Sequence, residues 1–320
     1  IRHSNLDMLE DKIKQLSTKC NKIWYMADGV YSMFGDYAPI PELLALTQKY
    51  TQLNLYFDDV HGMSWKGKNG TGFIFDAIKE LPENCIVVST LSKTFGASGA
   101  TLFCKNQKLR DKIKNFGGPL TFSAQLEPAS VAAAIASADI HLSPEIQLKQ
   151  KNLADKIAHF NQLLTLRNLP IISKNDSPVF FLGMGTPATA YNFSKRLFKE
   201  GFFLNLGIYP AVPIKNTGIR ITLSSHNQQQ DITALSEALE FHFPKALEET
   251  NNSENKIRQA FGIDSKKVEK IVDSNNQQLF IEEKNTIQDI EKSEWNQYMG
   301  KQNIFDWEGL VYLENTFSQH

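Results

Sequence analysis

Short apolar runs alternate with stretches of helical spacing along the first 245 residues, which is the pattern of an α/β architecture. Ile23-Trp24-Tyr25-Met26 reads as a buried strand, and Leu53 to Phe57 as a second that runs into Asp58-Asp59. Cys85-Ile86-Val87-Val88 is a third and Ala100 to Cys104 a fourth. Between the first two, Pro41 opens a helix at a position where its missing N–H costs nothing, and Leu43, Leu44 and Leu46 supply the apolar face. Strands joined by helices in this way form a mostly parallel sheet, whose ligands gather outside the strands' carboxyl ends. Asp58 and the loop from Ser89 to Ser98 lie at such ends.

A second block begins at Ser143-Pro144, a cap followed by proline, with Ile146, Leu153, Ile157, Phe160 and Leu164 at helical spacing. A strand from Val179 to Leu182 follows, then a helix capped by Thr186-Pro187 and stopped at Gly201. Strands near Phe202 to Leu206 and Ile219 to Leu223 precede a last helix from about Asp231 to Phe243. The organisation expected is a large α/β domain over residues 1–142 and a smaller α+β domain over 143–245. Glu248 to Lys256, with three asparagines, and Asp273 to Gln278 then mark a polar linker over 246–278. Residues 279–320, with strand-like Leu279-Phe280-Ile281, helical Ile290 to Met299 and amphipathic Trp307 to Phe317, read as the start of a further domain. The chain opens at Ile1 without a signal-peptide pattern, and its two ends read as those of an internal fragment.

Composition removes several classes. The 320 residues are 42% apolar and 22% charged, ordinary for a globular protein. With 34 Lys+Arg against 35 Asp+Glu the net charge is −1, which argues against gripping nucleic acid. Mean hydropathy is −0.32, and no apolar run reaches the roughly 18 residues of a membrane span. Cys20, Cys85 and Cys104 are too scattered for a disulfide framework, which points to a reducing, cytoplasmic setting.

The chemistry concentrates in three ordered runs. They are Asp28-Gly29-Val30-Tyr31-Ser32-Met33-Phe34-Gly35-Asp36, Asp58-Asp59-Val60-His61-Gly62 and Ser89-Thr90-Leu91-Ser92-Lys93-Thr94-Phe95-Gly96. A lysine at a strand edge among Ser, Thr and Gly is placed to form an imine with an aldehyde, and small hydroxyls beside it can hold an anion. A carboxylate at a neighbouring strand end can keep a heterocyclic nitrogen protonated. Singly, each run also suits a solvated loop, and Asp58, Asp59 and His61 also suit a metal hydrolase, although no further cluster completes a coordination shell.

From about His3 to Phe243 the chain resembles the α-oxoamine synthases, a group within the class I/II aminotransferase superfamily of fold-type-I pyridoxal-phosphate enzymes. The resemblance rests on Gly29-Val30-Tyr31-Ser32-Met33-Phe34-Gly35-Asp36-Tyr37-Ala38-Pro39, on Asp58-Asp59-Val60-His61-Gly62 and on Thr90-Leu91-Ser92-Lys93-Thr94-Phe95-Gly96. It implies an α/β fold-type-I architecture and pyridoxal 5'-phosphate as cofactor. Lys93 would hold the cofactor aldehyde and move the substrate's α-proton, and Asp58 would pair with the ring nitrogen. His61 and Ser32 would bond the phenolic oxygen, and Thr90 the phosphate. Arg220, in Gly218-Ile219-Arg220-Ile221-Thr222, would grip the substrate carboxylate through a planar fork. Phe122-Ser123-Ala124 resembles the loop that reaches a neighbouring subunit's phosphate, which makes Ser123 a candidate and a homodimer the expected assembly. In Pro210-Ala211-Val212-Pro213, Ala211 stands where a substrate-facing threonine is common, so the acyl preference does not carry over. The family's glycine-rich phosphate turn and ring-stacking histidine lie ahead of the segment matched here. Ile287 to Ile290 and Glu294-Trp295-Asn296, with Phe305 to Phe317, also resemble the opening of some GNAT-type acyltransferases.

The activity implied is condensation of a small amino acid with an acyl-CoA, a transferase reaction with no membrane or nucleic-acid partner. Two alternatives stay open: amino transfer to a 2-oxo acid on the same residues, and a non-catalytic subunit that pairs with an active one.

Overall fold

The computed structural model describes residues 1–173, 176–263, 286–299 and 307–317. The chain divides into two compact units, Ile1–Ser265 and Lys266–His320.

The first unit opens with helix α1 (Leu6–Ser17), whose N-cap Asn5 accepts the Met8 N–H, then strand β1 (Ile23–Asp28). Helix α2 (Ile40–Lys49), strand β2 (Leu53–Asp58), helix α3 (Phe73–Ala77) and strands β3 (Cys85–Thr90) and β4 (Ala100–Cys104) follow. The sheet order is β1-β2-β3-β4, parallel at the first two junctions and antiparallel at the third. Register sets Asp28 opposite Asp58 and Asp58 opposite Val88, so β1 and β2 end level and β3 runs two residues further, to Thr90. Leu53, Leu55 and Phe57 alternate inward along β2 and meet Leu9 and Ile13 of α1 and Ile40 and Leu43 of α2.

Helices α4 (Gln107–Phe116), α5 (Gly118–Thr121), α6 (Pro128–Leu142) and α7 (Glu145–Leu166) lead to strand β5 (Val179–Gly185). Helix α8 (Pro187–Lys199), strands β6 (Asn205–Gly207) and β7 (Thr217–Thr222), and helices α9 (Gln229–Glu249) and α10 (Glu254–Phe261) complete the unit. The second sheet is antiparallel in the order β5-β7-β6. Its core gathers Phe160 of α7, Phe180 and Leu182 of β5, Phe193 of α8 and Leu239 of α9.

Most expected elements are present, with four differences. Strand β6 holds only Asn205–Gly207, because Gly201 turns the chain at φ +91° and the Phe202 N–H is drawn back to the Leu197 carbonyl. Helix α9 continues to Glu249 through Pro244, since Leu239, Phe243 and Ala246 keep one buried face across it. Strand β5 continues to Gly185, and Gly183 is needed there because a Cβ would fall 2.8 Å from the Phe261 ring. The polar run from Glu248 to Lys256 is the end of α9 and the start of α10 rather than a linker. One of its asparagines bonds inward, the Asn252 amide donating to the Met184 carbonyl at 3.0 Å and to Thr189 Oγ1 at 2.9 Å. Ile257 is fully buried, and Arg258 reaches Glu254 and the Asn168 carbonyl.

In the second unit a 3-10 turn (Ile287–Asp289) precedes helices α11 (Lys292–Met299) and α12 (Trp307–Phe317). Glu314 accepts from Thr286 Oγ1 and from the Ile287 N–H, both at 2.6 Å. The expected strand at Leu279 to Ile281, the linker beyond residue 263 and Phe305 lie outside the described residues. Among the described residues no helix is long and apolar enough to cross a membrane.

Candidate active site

The site lies at the carboxyl ends of β1, β2 and β3. After Asp58 the chain turns, and Asp58 Oδ1 accepts the Val60 N–H at 3.0 Å, which fixes the carboxylate as β2 ends. That turn brings the His61 ring around to the Lys93 loop, where His61 Nε2 and Lys93 Nζ stand 2.8 Å apart. The Trp65 indole donates to the His61 carbonyl at 2.5 Å and steadies the same turn.

The Lys93 loop is itself a closed turn. Leu91 N–H donates to the Gly99 carbonyl, Ala97 N–H to Leu91 and Gly96 N–H to Lys93. Gly96 sits at φ +74°, a conformation with no steric cost for glycine. Thr90 Oγ1 accepts the Ser92 N–H at 3.1 Å and lies 2.7 Å from Ser92 Oγ, so two hydroxyls stand together beside the lysine.

The turn from Gly29 to Tyr37 joins the two sheets. A Cβ on Gly35 would fall 2.3 Å from the Val179 carbonyl, and Phe34 packs edge-on against Phe181 with ring centres 4.9 Å apart. This contact delivers Arg220, half-buried between buried Ile219 and Ile221 of β7, whose Nε donates to the Ser32 carbonyl at 2.6 Å. One edge of the guanidinium is thereby held.

Charge in the site is tuned mainly by burial. His61 is pushed down to about 4, first by desolvation and then by the cations Lys93 and Arg220, so the ring is neutral at ordinary pH. Burial lowers the Lys93 ammonium, against the pull of Asp58, and so raises the share of free amine. Arg220 is lowered by burial alone.

The structure brings together Lys93, His61, Asp58, Thr90, Ser32 and Arg220, with Ser32 contributing its carbonyl to Arg220. Ser123 stands outside that group: its hydroxyl donates to the Pro119 carbonyl, and Phe122 beside it is 90% exposed. Among the described residues no group of three His, Cys, Asp or Glu could hold a metal ion.

Two further residues belong with the site, Asp28, which heads the first of the three runs, and Asp59, which the sequence offered only as a metal ligand. Asp28 lies opposite Asp58, and burial followed by the Asp58 charge pushes its carboxyl up. Asp59 is 1% exposed, accepts the Ile74 N–H at 2.9 Å and is raised to about 7, chiefly by desolvation. It occupies a cage in which a Cβ on Gly29, Gly62 or Gly72 would come within 2.5 Å of its carboxylate oxygens. The Asp-Asp doublet at a strand end was the available signal for Asp59.

Residues 2–239 match the family model described as aminotransferase class I and II. The 8-amino-7-oxononanoate synthase of Thermoanaerobacter pseudethanolicus is 32% identical over 239 residues, 75% of this chain and 59% of that protein. The chain thus spans about three fifths of the curated relatives it matches. Serine palmitoyltransferase from Sphingomonas wittichii shares the fold, with a TM-score of 0.68 at 24% identity over 78% of this chain and 60% of that one. A serine palmitoyltransferase structure with pyridoxal phosphate as internal aldimine aligns with a TM-score of 0.66 at 22% identity, covering 82% of this chain and 61% of its own. The family read from the three sequence runs and the family found by comparison are the same, and the chain belongs to the class I and II aminotransferases.

Proposed function

We propose that this chain carries the lysine-bearing part of a pyridoxal-phosphate-dependent acyltransferase site, which condenses a small amino acid with an acyl-CoA to an α-oxoamine. The observation that carries the reading is the approach of Lys93 Nζ to neutral His61 Nε2 at 2.8 Å, at the strand ends that also present Asp58. The donor set suits the cofactor: an amine with lowered basicity, a carboxylate one strand away and paired hydroxyls at Thr90 and Ser92.

Bound pyridoxal phosphate supplies an electron sink for charge developing at the amino acid's α-carbon. Asp58 holds a proton on the ring nitrogen, and Lys93 Nζ takes and returns the proton at the α-carbon. His61, neutral, orients Lys93 without competing for that proton. Arg220, braced on the Ser32 carbonyl, has guanidinium nitrogens beyond Nε to grip the substrate carboxylate in a fork. The curated relative's name, 8-amino-7-oxononanoate synthase, supports the acyl-transfer chemistry.

The assembly proposed is a homodimer in the cytoplasm. Support comes from the exposed apolar side chains Phe116, Phe122, Ile135 and Leu142 along α4 to α6, which a second copy would cover, and from three free cysteines. Ser123, beside exposed Phe122, is the residue proposed to reach the second copy's site.

Trapping tests the site and a thiol assay tests the reaction. Pyridoxal phosphate with borohydride is expected to place a reduced adduct on Lys93, and amino acid with acyl-CoA to release CoA thiol. Adduct with amino transfer to a 2-oxo acid and no thiol would replace acyl transfer with aminotransferase chemistry. No adduct on Lys93 would leave the non-catalytic subunit.

A further inference from the structure

His141 ends α6 as a buried polar side chain, and its contacts run to both loops of the site. Its Nδ1 lies 2.7 Å from the Ser137 carbonyl, which can only accept, so Nδ1 carries the hydrogen. In the neutral ring Nε2 is then the acceptor for the buried Ser64 hydroxyl, 2.9 Å away. Ser64 is three residues beyond His61. The other face of the ring meets Phe95, two residues beyond Lys93, with ring centres 4.6 Å apart.

The surroundings leave this side chain little room to move. Gly70, at φ +68°, brings backbone so close that a Cβ would fall 2.7 Å from His141 Cδ2. Gln150 of α7 donates to the Ser64 and Gly67 carbonyls, both at 3.0 Å, and holds the His61 loop against the same helix pair. One ring therefore ties the loop of His61 to the loop of Lys93 through contacts separate from the one those two residues make with each other.

We propose that His141 is a positioning residue that clamps these two loops together and so fixes the approach of Lys93 Nζ to His61 Nε2. The proposal deepens the function proposed above and rests on it for the purpose of that approach. It assigns His141 no contact with substrate or cofactor.

The test compares the full 320-residue chain with His141→Phe, which keeps the ring against Phe95 but loses both hydrogen bonds, and with Ser64→Ala, which removes only the hydroxyl. Two readouts report on the Lys93–His61 contact. One is the His61 titration followed by NMR, with Lys93, Arg220 and Asp58 facing the ring in every variant. The other is reductive methylation of Lys93 by formaldehyde and cyanoborohydride, against exposed Lys112 as reference; Asp58, Arg220 and Asp28 face that amine.

If the clamp acts as proposed, His61 titrates at least a unit above its wild-type midpoint in His141→Phe. Lys93 labelling at pH 8, relative to Lys112, falls at least about twofold as the amine leaves its buried setting and holds its proton more readily. Ser64→Ala moves both readouts in the same direction by less. His61 midpoints and Lys93 rates equal to wild type in the folded variants overturn the clamp, and if His141→Phe does not fold, Ser64→Ala alone decides. Failure of the underlying function looks different: the unmutated chain then gives no Lys93 adduct with pyridoxal phosphate and borohydride, while the His61 midpoint still judges the clamp.

Discussion

The two sheets of the first unit solve different problems. In the second sheet all seven residues of β5 are buried, and helices α7 to α10 close over a single apolar core. In the first sheet β2 alternates buried with half-buried positions, and Trp24, Met26, Leu102 and Phe103 of β1 and β4 are exposed. The chemistry follows the more open sheet. Asp28, Asp58, His61 and Lys93 all stand at or just past its strand ends, where a ligand can reach them. The second sheet lends one side chain, Arg220, from a strand whose adjacent Ile219 and Ile221 are buried. A rigid core thus acts as the base for a single arm, while the open sheet carries the reactive groups.

The contrast breaks first at Phe180. It is fully buried in β5, with its ring edge-on to Phe160 at 4.8 Å. Phe180→Ala is expected to cost about 3–5 kcal/mol by chemical denaturation, the usual range for emptying an aromatic site in a core. A loss below about 1 kcal/mol would show that the second sheet collapses around the void and is not the rigid base described.

Asp59 tests the first sheet from inside. Its carboxyl, held at about 7 in the fold against an ordinary 3.8, binds a proton more tightly folded than unfolded. Its contribution to stability is therefore full below the ordinary value and lost as pH rises through about 7. The native chain should weaken over that window by an amount on the order of a few kcal/mol. Asp59→Asn keeps the shape and has no proton to lose, so its unfolding free energy should lack that fall over the same window, leaving the downward slope from raised Asp28 and the upward one from lowered His61. Equal slopes in the two chains would mean that Asp59 is ionised and hydrated in solution.

How far these features could be read in advance depends on whether the information was local. The strand running into Asp58 and helix α8 with its Thr186 cap are set by short-range pattern and turn chemistry, and the structure has them where the pattern places them, while β3 runs two residues past the expected Val88, to Thr90. The run from Glu248 to Lys256 misleads because asparagine marks loops by composition. Here Asn252 instead satisfies the Met184 carbonyl, 68 residues away in sequence. The burial of Asp59, read from sequence only as a possible metal ligand, and the part played by His141 were missed for a related reason. Burial of a polar side chain is fixed by partners such as Ile74, Ser64 and Phe95, which no local window contains. Within the site, Lys93, Asp58, His61 and Arg220 were legible through their ordered motifs, whereas the bracing of Arg220 by the Ser32 carbonyl required the coordinates.

Arg220→Lys sharpens the idea of an arm on a rigid base. Lysine keeps the charge and loses both the planar fork and the Nε that donates to Ser32. The expected result is a rise of about 10–100-fold in the concentration of amino acid needed for half-maximal turnover, worth about 1.4–2.7 kcal/mol, with Lys93 trapping by borohydride unchanged. Loss of trapping as well would mean that Arg220 shapes the lysine pocket itself.

The smallest effect is expected at Met26, and it bears most directly on the openness of the first sheet. Ile23, Tyr25 and Ala27 of β1 turn toward α1 and α2, so Trp24 and Met26 face the other way, 41% and 68% exposed. Met26→Ser should therefore change the unfolding free energy by no more than about 0.5 kcal/mol, as for other exposed positions. A loss above about 2 kcal/mol would show that this face is covered in solution, since only a methionine removed from water has that much transfer energy to lose. Concentration dependence of that loss would then separate a second copy, which dilution removes, from cover supplied within one chain, which it does not.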